Sequence, residues 1–194
     1  NKSMGKTAIR SFIVEKGTPG FSVARLEKKL GIRASDTATL IFDNCRIPRE
    51  NLLGGKEEVE MDADAAKKSF GGAMQTFDNT RPMVAGMASG LGQAALDMTR
   101  ALLAEEGYED NFGASMGQQT AIQYELEMLE AELEAARLLV YKSAWMMDNK
   151  MPNSKEASMG KAKAGRIGNR ISLKCVEICS MQGFSEDHLL EKFS

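Results

Sequence analysis

Residues Phe70 to Leu102, FGGAMQTFDNTRPMVAGMASGLGQAALDMTRAL, decide the fold. Phe70, Met74, Phe77, Val84, Ala88, Leu91, Ala95, Met98 and Leu102 recur at helical spacing, and the steps of three or four predict one apolar stripe on a long amphipathic helix. Arg81 falls on that stripe between Phe77 and Val84. A charge facing a core must be paired or reach a ligand, because burying it alone costs several kcal/mol, roughly. Asp78 lies one turn earlier and within reach. Pro82 removes one amide donor and frees the carbonyl of Asp78. Phe77-Asp78-Asn79-Thr80-Arg81-Pro82 therefore reads as a polar, partly kinked turn within a packed helix. Two readings stand side by side: a ligand site, or an Asp–Arg pair at a solvated edge.

Downstream the pattern stays helical. Gly86, Gly90 and Gly92 lie inside the first helix, and their spacing predicts close approach of another backbone. GYEDNFGASMG, 107–117, is a loop. A second helix is expected over about 118–148, with Ile122, Leu126, Leu129, Leu133, Ala136, Val140, Ala144 and Met147 as its stripe. Glu125, Glu127, Glu130, Glu132 and Glu134 read as a solvated acidic face. Asn153 with Glu156 resembles a capping box. The third helix then runs to about Met181, with Ala164, Gly168, Ile171, Cys175 and Ile178 on one face. Residues 185–193 read as the start of a fourth helix. Of thirteen methionines, Met74, Met87, Met98, Met128 and Met147 are expected in the core, since methionine fills irregular gaps.

Upstream the pattern changes to strands. TAIRSFIV (7–14), FSVARL (21–26) and TATLIFDNC (37–45) are the candidates, separated by the turn KGTPG (16–20) and a loop at 31–36. Residues 56–64 form an acidic connector. Three or four strands make a poor sheet by themselves, so further strands before Asn1 are expected. The fold class is mainly α with a short β segment: an antiparallel up-down helical bundle, 61–194, preceded by the last strands of a β-domain, 1–60.

The chain has 194 residues and a net charge of −2 with both signs mixed, which argues against a nucleic-acid surface. No apolar run approaches the roughly 20 residues a membrane span needs. No signal peptide is visible. Cys45, Cys175 and Cys179 are an odd number, which favours reduced thiols in the cytosol or an equivalent compartment. With His188 the single histidine, neither a metal site nor a Ser–His or Cys–His pair is expected. There is no GxGxxG and no GxxxxGK[ST].

SFIVEKGTPGFSVARLEKKLGIRASDTATLIFDNCRIPRENLLGG resembles the end of the middle β-domain of acyl-CoA dehydrogenases, and FDNTRPMVAGMASGLGQAALDMT resembles the first helix of their C-terminal bundle. EAARLLVYKSAW and ASMGKAKAG resemble the next two helices, so the likeness covers essentially the whole chain. It implies FAD-dependent α,β-dehydrogenation of an acyl-CoA thioester in fatty acid metabolism, in which a glutamate takes the α proton and the flavin the β hydride. It also implies electron-transfer flavoprotein as redox partner and a homo- or hetero-oligomer built through the bundle. The expected compartment is the cytoplasm, or the mitochondrial matrix in a eukaryote.

By the same resemblance, Phe77, Asp78, Asn79, Thr80 and Arg81 would contact the CoA part of the substrate, and Phe112, Gln119, Gln123 and Gly183 the flavin. No catalytic residue is assigned. The family's usual glutamate would lie beyond Ser194, and the position used by a subset is Thr80, so the chain reads as cut at both ends. Four departures touch the flavin contacts: Glu109 for the Arg of an Arg-x-x-Phe-Gly loop, Thr120 for a Gln, Glu177 for a Gln, and Ser180-Met181 for a Gly-Gly. They imply that this chain binds a neighbour's FAD weakly or not at all, as a non-catalytic member of a mixed oligomer. The competing reading is a divergent active enzyme that uses other residues.

Overall fold

The structure is a computed structural model. It describes the backbone of residues 11–53, 63–109, 111, 113–115 and 117–194, and the side chains of these apart from 63–70, 72 and 73. The chain divides into two compact units, Asn1–Ala73 and Met74–Ser194.

In the first unit, strands β1 (Phe21–Leu26) and β2 (Ala38–Phe42) pair antiparallel, with Phe21 opposite Phe42 and Leu26 opposite Ala38. Register slips between Val23 and Arg25, the signature of a bulge. The Phe21 and Phe42 rings stack with centroids 5.0 Å apart. Gly20 enters β1 at φ +82, where a side chain would also collide with the Asp43 carbonyl. The strand expected at 7–14 lies partly outside the described residues, and its described end forms only an isolated bridge, Phe12 to Leu52. The acidic connector falls largely outside them as well.

Three helices follow: α1 (Ala63–Glu105), α2 (Ala121–Asp148) and α3 (Ser154–Gly183). Arg100 reaches Glu130 at 2.6 Å and Arg137 reaches Gln93 at 2.8 Å, so α1 and α2 run antiparallel. Lys163 pairs with Glu132 and Arg170 with Glu125, so α2 and α3 are antiparallel too. This is the expected up-down order. Leu126, Leu129 and Leu133 of α2 and Ile171 and Cys175 of α3 are at most 1% exposed, and each buried leucine contributes about 1.5–3 kcal/mol. The charge pairs correct the reading of α2's acids as merely solvated. Four of the five meet a basic side chain, three of them on another helix.

The stripe on α1 also needs correction. Phe77, Val84 and Leu91 are 56%, 47% and 37% exposed, and the seam packed inward is Pro82, Ala85, Ser89, Gly92, Leu96, Thr99 and Leu102. Small residues line it because the helices approach closely: a Cβ on Gly168 would sit 2.9 Å from the Ala88 carbonyl oxygen. Gly92 meets Ile171 and Leu133, whereas Gly86 and Gly90 face open space. Among the expected core methionines, Met74, Met87 and Met128 are exposed, and Met98 packs against the core.

Helix ends follow side-chain chemistry. Thr120 caps α2, its hydroxyl accepting from the Gln123 amide at 3.1 Å. Asn153 precedes α3 but forms no capping box, because its side-chain amide donates instead to the buried carbonyl of Ser143. Ser180 breaks the end of α3 at φ 51, ψ −125. The expected fourth helix is absent from 185–193, where only a short 3-10 turn forms, Leu190–Phe193, with Leu190 fully buried.

Candidate functional site

The polar turn of α1 carries the first group of site residues. Arg81 donates from Nη1 to Asp78 Oδ1 at 2.5 Å, with side chains 33% and 17% exposed. The pair therefore lies at the surface, one face in contact with protein. The Thr80 hydroxyl donates to the Phe77 carbonyl at 3.2 Å. Helix α1 runs unbroken through Pro82, which lacks the amide that would have bonded the Asp78 carbonyl. Phe77 is 56% exposed beside this turn, and Asn79 is half-buried. An exposed ring, a helix carbonyl without its usual i+4 amide donor and a planar cation with donors remaining form a cluster suited to a nucleotide.

The second group lies elsewhere. Gln182 donates to Glu106 at 2.7 Å, so the end of α3 meets the end of α1. Glu105 is 24 positions beyond Arg81, a rise of about 36 Å along the helix. Gln119 and Gln123 stand at the start of α2, which the Tyr108–Thr120 hydroxyl contact ties to the same end. Within one copy, the structure therefore separates Phe77–Arg81 from Gln119, Gln123 and Gly183, and no single small ligand touches both.

Local contacts explain these three side chains. Gln119 donates to Glu127 at 2.8 Å. Gln123 is 3% exposed and donates to the Asn111 carbonyl, which fastens the loop entering α2. Gly183 is required by packing, since a Cβ there would lie 2.6 Å from the Val176 carbonyl oxygen. Phe112 lies outside the described residues. Glu109 is exposed. Glu177 is held by Lys174 at 2.7 Å, and that carboxylate raises the Lys174 pKa. Glu177 and Ser180 share with Glu191 a surface groove of about 410 Å³. Burial pushes the Cys175 thiol up to about 11 and that of Cys179 upward, with the Thr99 hydroxyl opposing both shifts. Among the described residues no cluster of three His, Cys, Asp or Glu side chains could hold a metal, and no helix is long and apolar enough to cross a membrane.

Comparison with known proteins places this geometry in a family. The family model described as acyl-CoA dehydrogenase, C-terminal domain, matches residues 70–194. The short-chain specific acyl-CoA dehydrogenase of Rattus norvegicus mitochondria is 38% identical over 196 residues, covering 100% of this chain and 44% of that protein. The short-chain specific acyl-CoA dehydrogenase of Clostridium acetobutylicum is 32% identical over 192 residues, covering 99% of this chain and 47% of that one. In structure, butyryl-CoA dehydrogenase from Megasphaera elsdenii matches with a TM-score of 0.77 at 33% identity, over 100% of this chain and 47% of that one. A chain from a structure of an electron transferring flavoprotein of Acidaminococcus fermentans matches with a TM-score of 0.80 at 35% identity, again over 100% and 47%. The chain thus spans less than half the length of the relatives it matches.

Proposed function

The chain belongs to the acyl-CoA dehydrogenase family, and from that premise we propose that the protein carries out FAD-dependent α,β-dehydrogenation of an acyl-CoA thioester. In this reading residues 1–60 are strands of the middle β-domain and residues 61–194 the C-terminal helical bundle. The substrate class we propose is a short-chain ester, because the named relatives above are short-chain specific. The observation that carries the reading is the Asp78–Arg81 pair beside Phe77. Asp78 fixes the guanidinium through one nitrogen and leaves its other donors for phosphate or ring acceptors of CoA. Phe77 offers an apolar face to the same ligand, and the Asp78 carbonyl offers an acceptor.

FAD, when bound, supplies the hydride acceptor for such chemistry. The described residues of this chain do not fit its diphosphate. Glu109 and Glu177 put negative charge at positions where the family resemblance expects donors, Lys174 is taken up by Glu177, and Gln123 is turned inward onto Asn111. That mismatch favours a second reading, a flavin-poor subunit that keeps CoA-ester binding within a mixed oligomer. Partners in the first reading are the acyl-CoA, an electron-transfer flavoprotein and further subunits. The cytoplasm or the mitochondrial matrix suits a protein of this class.

The test is a titration of the full-length protein with butyryl-CoA. A hydrogen bond to a charged group contributes about 1.5–3 kcal/mol, so Arg81→Ala is expected to weaken binding roughly 10- to 150-fold. An unchanged Kd would remove Arg81 from the ligand site.

A further inference from the structure

Cys175 and Cys179 have no part in the site described above. They stand at i and i+4 on α3, and both are buried, at 0% and 8% exposed. Side chains at that spacing share one helix face, with Cβ atoms about 5–6 Å apart. Thr99 of α1, itself fully buried, sets its hydroxyl against both sulfurs. Neither cysteine is in a disulfide. Burial keeps both protonated, which makes them poor nucleophiles toward oxidants and alkylating agents.

We propose that Cys175 and Cys179 form a two-coordinate site for a soft monovalent metal ion, Cu(I). The site is separate from the flavin and ester readings, and its test uses neither. Metal–thiolate bonds run about 2.3 Å, so a linear S–Cu–S unit spans roughly 4.6 Å, which two cysteines with Cβ atoms about 5–6 Å apart can close. Ligand count selects the ion. A structural zinc takes four ligands, and among the described residues no group of three His, Cys, Asp or Glu side chains comes together. Two thiolates alone suit Cu(I), whereas Cu(II) favours nitrogen and oxygen ligands in a square plane. The surroundings withhold such ligands, since Leu102, Ile171 and Val176 belong to the same buried apolar cluster.

Binding exchanges protons for metal and involves no redox step. Two S–H bonds break, two Cu–S bonds form, two protons leave to solvent, and copper stays Cu(I). The complex carries one net negative charge, which the nearby positive charge of Arg100 offsets. The Thr99 hydroxyl donates to the Ala95 carbonyl at 2.8 Å and lies close enough to turn its proton onto a thiolate sulfur instead. Entry is from the Cys179 side, where the side chain keeps 8% exposure and α3 loses helical geometry at the next residue, Ser180.

The experiment is an anaerobic titration of the reduced full-length protein with Cu(I) against the chelator bathocuproine disulfonate, whose colour reads the copper that the protein does not hold. Wild type is expected to retain one equivalent more than Cys175→Ala. Cys179→Ala, at the exposed end of the pair, should lose the same equivalent with less change to the core. Cys45→Ala, in the other unit, should match wild type, and Thr99→Val should weaken retention about 10-fold. X-ray absorption at the copper edge of the wild-type complex should show two sulfur neighbours, a reading that needs no variant. Equal retention by wild type and both α3 variants overturns the proposal, as does a wild-type protein that yields all its copper to the chelator. Three or more ligands at the copper overturn the two-coordinate site.

Discussion

Arg81 holds Asp78 through one nitrogen, at 2.5 Å, on a part of α1 that solvent reaches. A pair this exposed contributes about 0–1 kcal/mol to stability. Arg81→Ala should therefore leave the melting temperature within a few degrees of wild type while weakening ester binding. Arg81→Lys should rescue little, because a point charge does not reproduce the planar fork. Circular dichroism and titration calorimetry on the same two variants separate these effects. Ser180 sets a different problem. Its φ of 51 with ψ −125 is a conformation that costs a non-glycine residue about 1–3 kcal/mol. Ser180→Gly should raise the melting temperature by roughly 2–12 °C, at about 2–4 °C per kcal/mol for a chain of this size. A melting temperature that fails to rise would show that the serine's own contacts offset the strain.

Cys175 carries the pH dependence that can be argued with a sign. Burial raises its thiol from 9.0 to about 11 in the folded chain, with the Thr99 hydrogen bond opposing the rise. The folded state thus keeps a proton that the unfolded state releases first. The contribution is complete below pH 9 and is lost as pH climbs from about 9 to 11. Thermal melts should fall off above pH 9, and Cys175→Ala should flatten that slope. Parallel pH curves for the two proteins would rule out this origin.

At the level of elements, glycine position separates packing from propensity. Gly168 lies where a Cβ would press on the Ala88 carbonyl at 2.9 Å, so Gly168→Ala should destabilise by about 1–3 kcal/mol. Gly90 faces open space in the same bundle, and Gly90→Ala should stabilise by about 0.5–1 kcal/mol through helix propensity. Thermal denaturation of both variants checks the opposite signs. These two residues also show how far the sequence could be read. Helix extents, chain order and the antiparallel arrangement were legible from the spacing of Leu126, Leu129, Leu133 and their counterparts in α3. The inward face of α1 was not, because hydropathy points to Phe77, Val84 and Leu91. The helices instead close over Ala85, Ser89 and Gly92, small side chains that allow near contact. The Asp78–Arg81 pair survived that error, since it follows from i,i+3 geometry on any face of the helix. The role of Gln123 as a clasp on Asn111 had no local signal, because it depends on where the preceding loop folds.

Across the bundle of residues 74–194, the two groups of site residues lie toward opposite ends, Phe77–Arg81 being about 36 Å along α1 from the helix's C-terminal end where the second group sits. One end presents a guanidinium and an exposed ring. The other presents Glu109 and Glu177 and a glutamine spent on internal structure. In the reading proposed above, an acyl-CoA ester suits the first end, and a flavin diphosphate does not suit the second. The dehydrogenase reading therefore requires that the full-length protein hold FAD through groups other than these, and the flavin-poor reading requires that it hold little. Anaerobic titration of the full-length protein with butyryl-CoA, following visible flavin absorbance and the flavin released on denaturation, decides between them. The account predicts about one FAD per chain, bleached by the ester. A folded protein that binds the ester but carries no flavin, or a flavin the ester leaves unbleached, would contradict it.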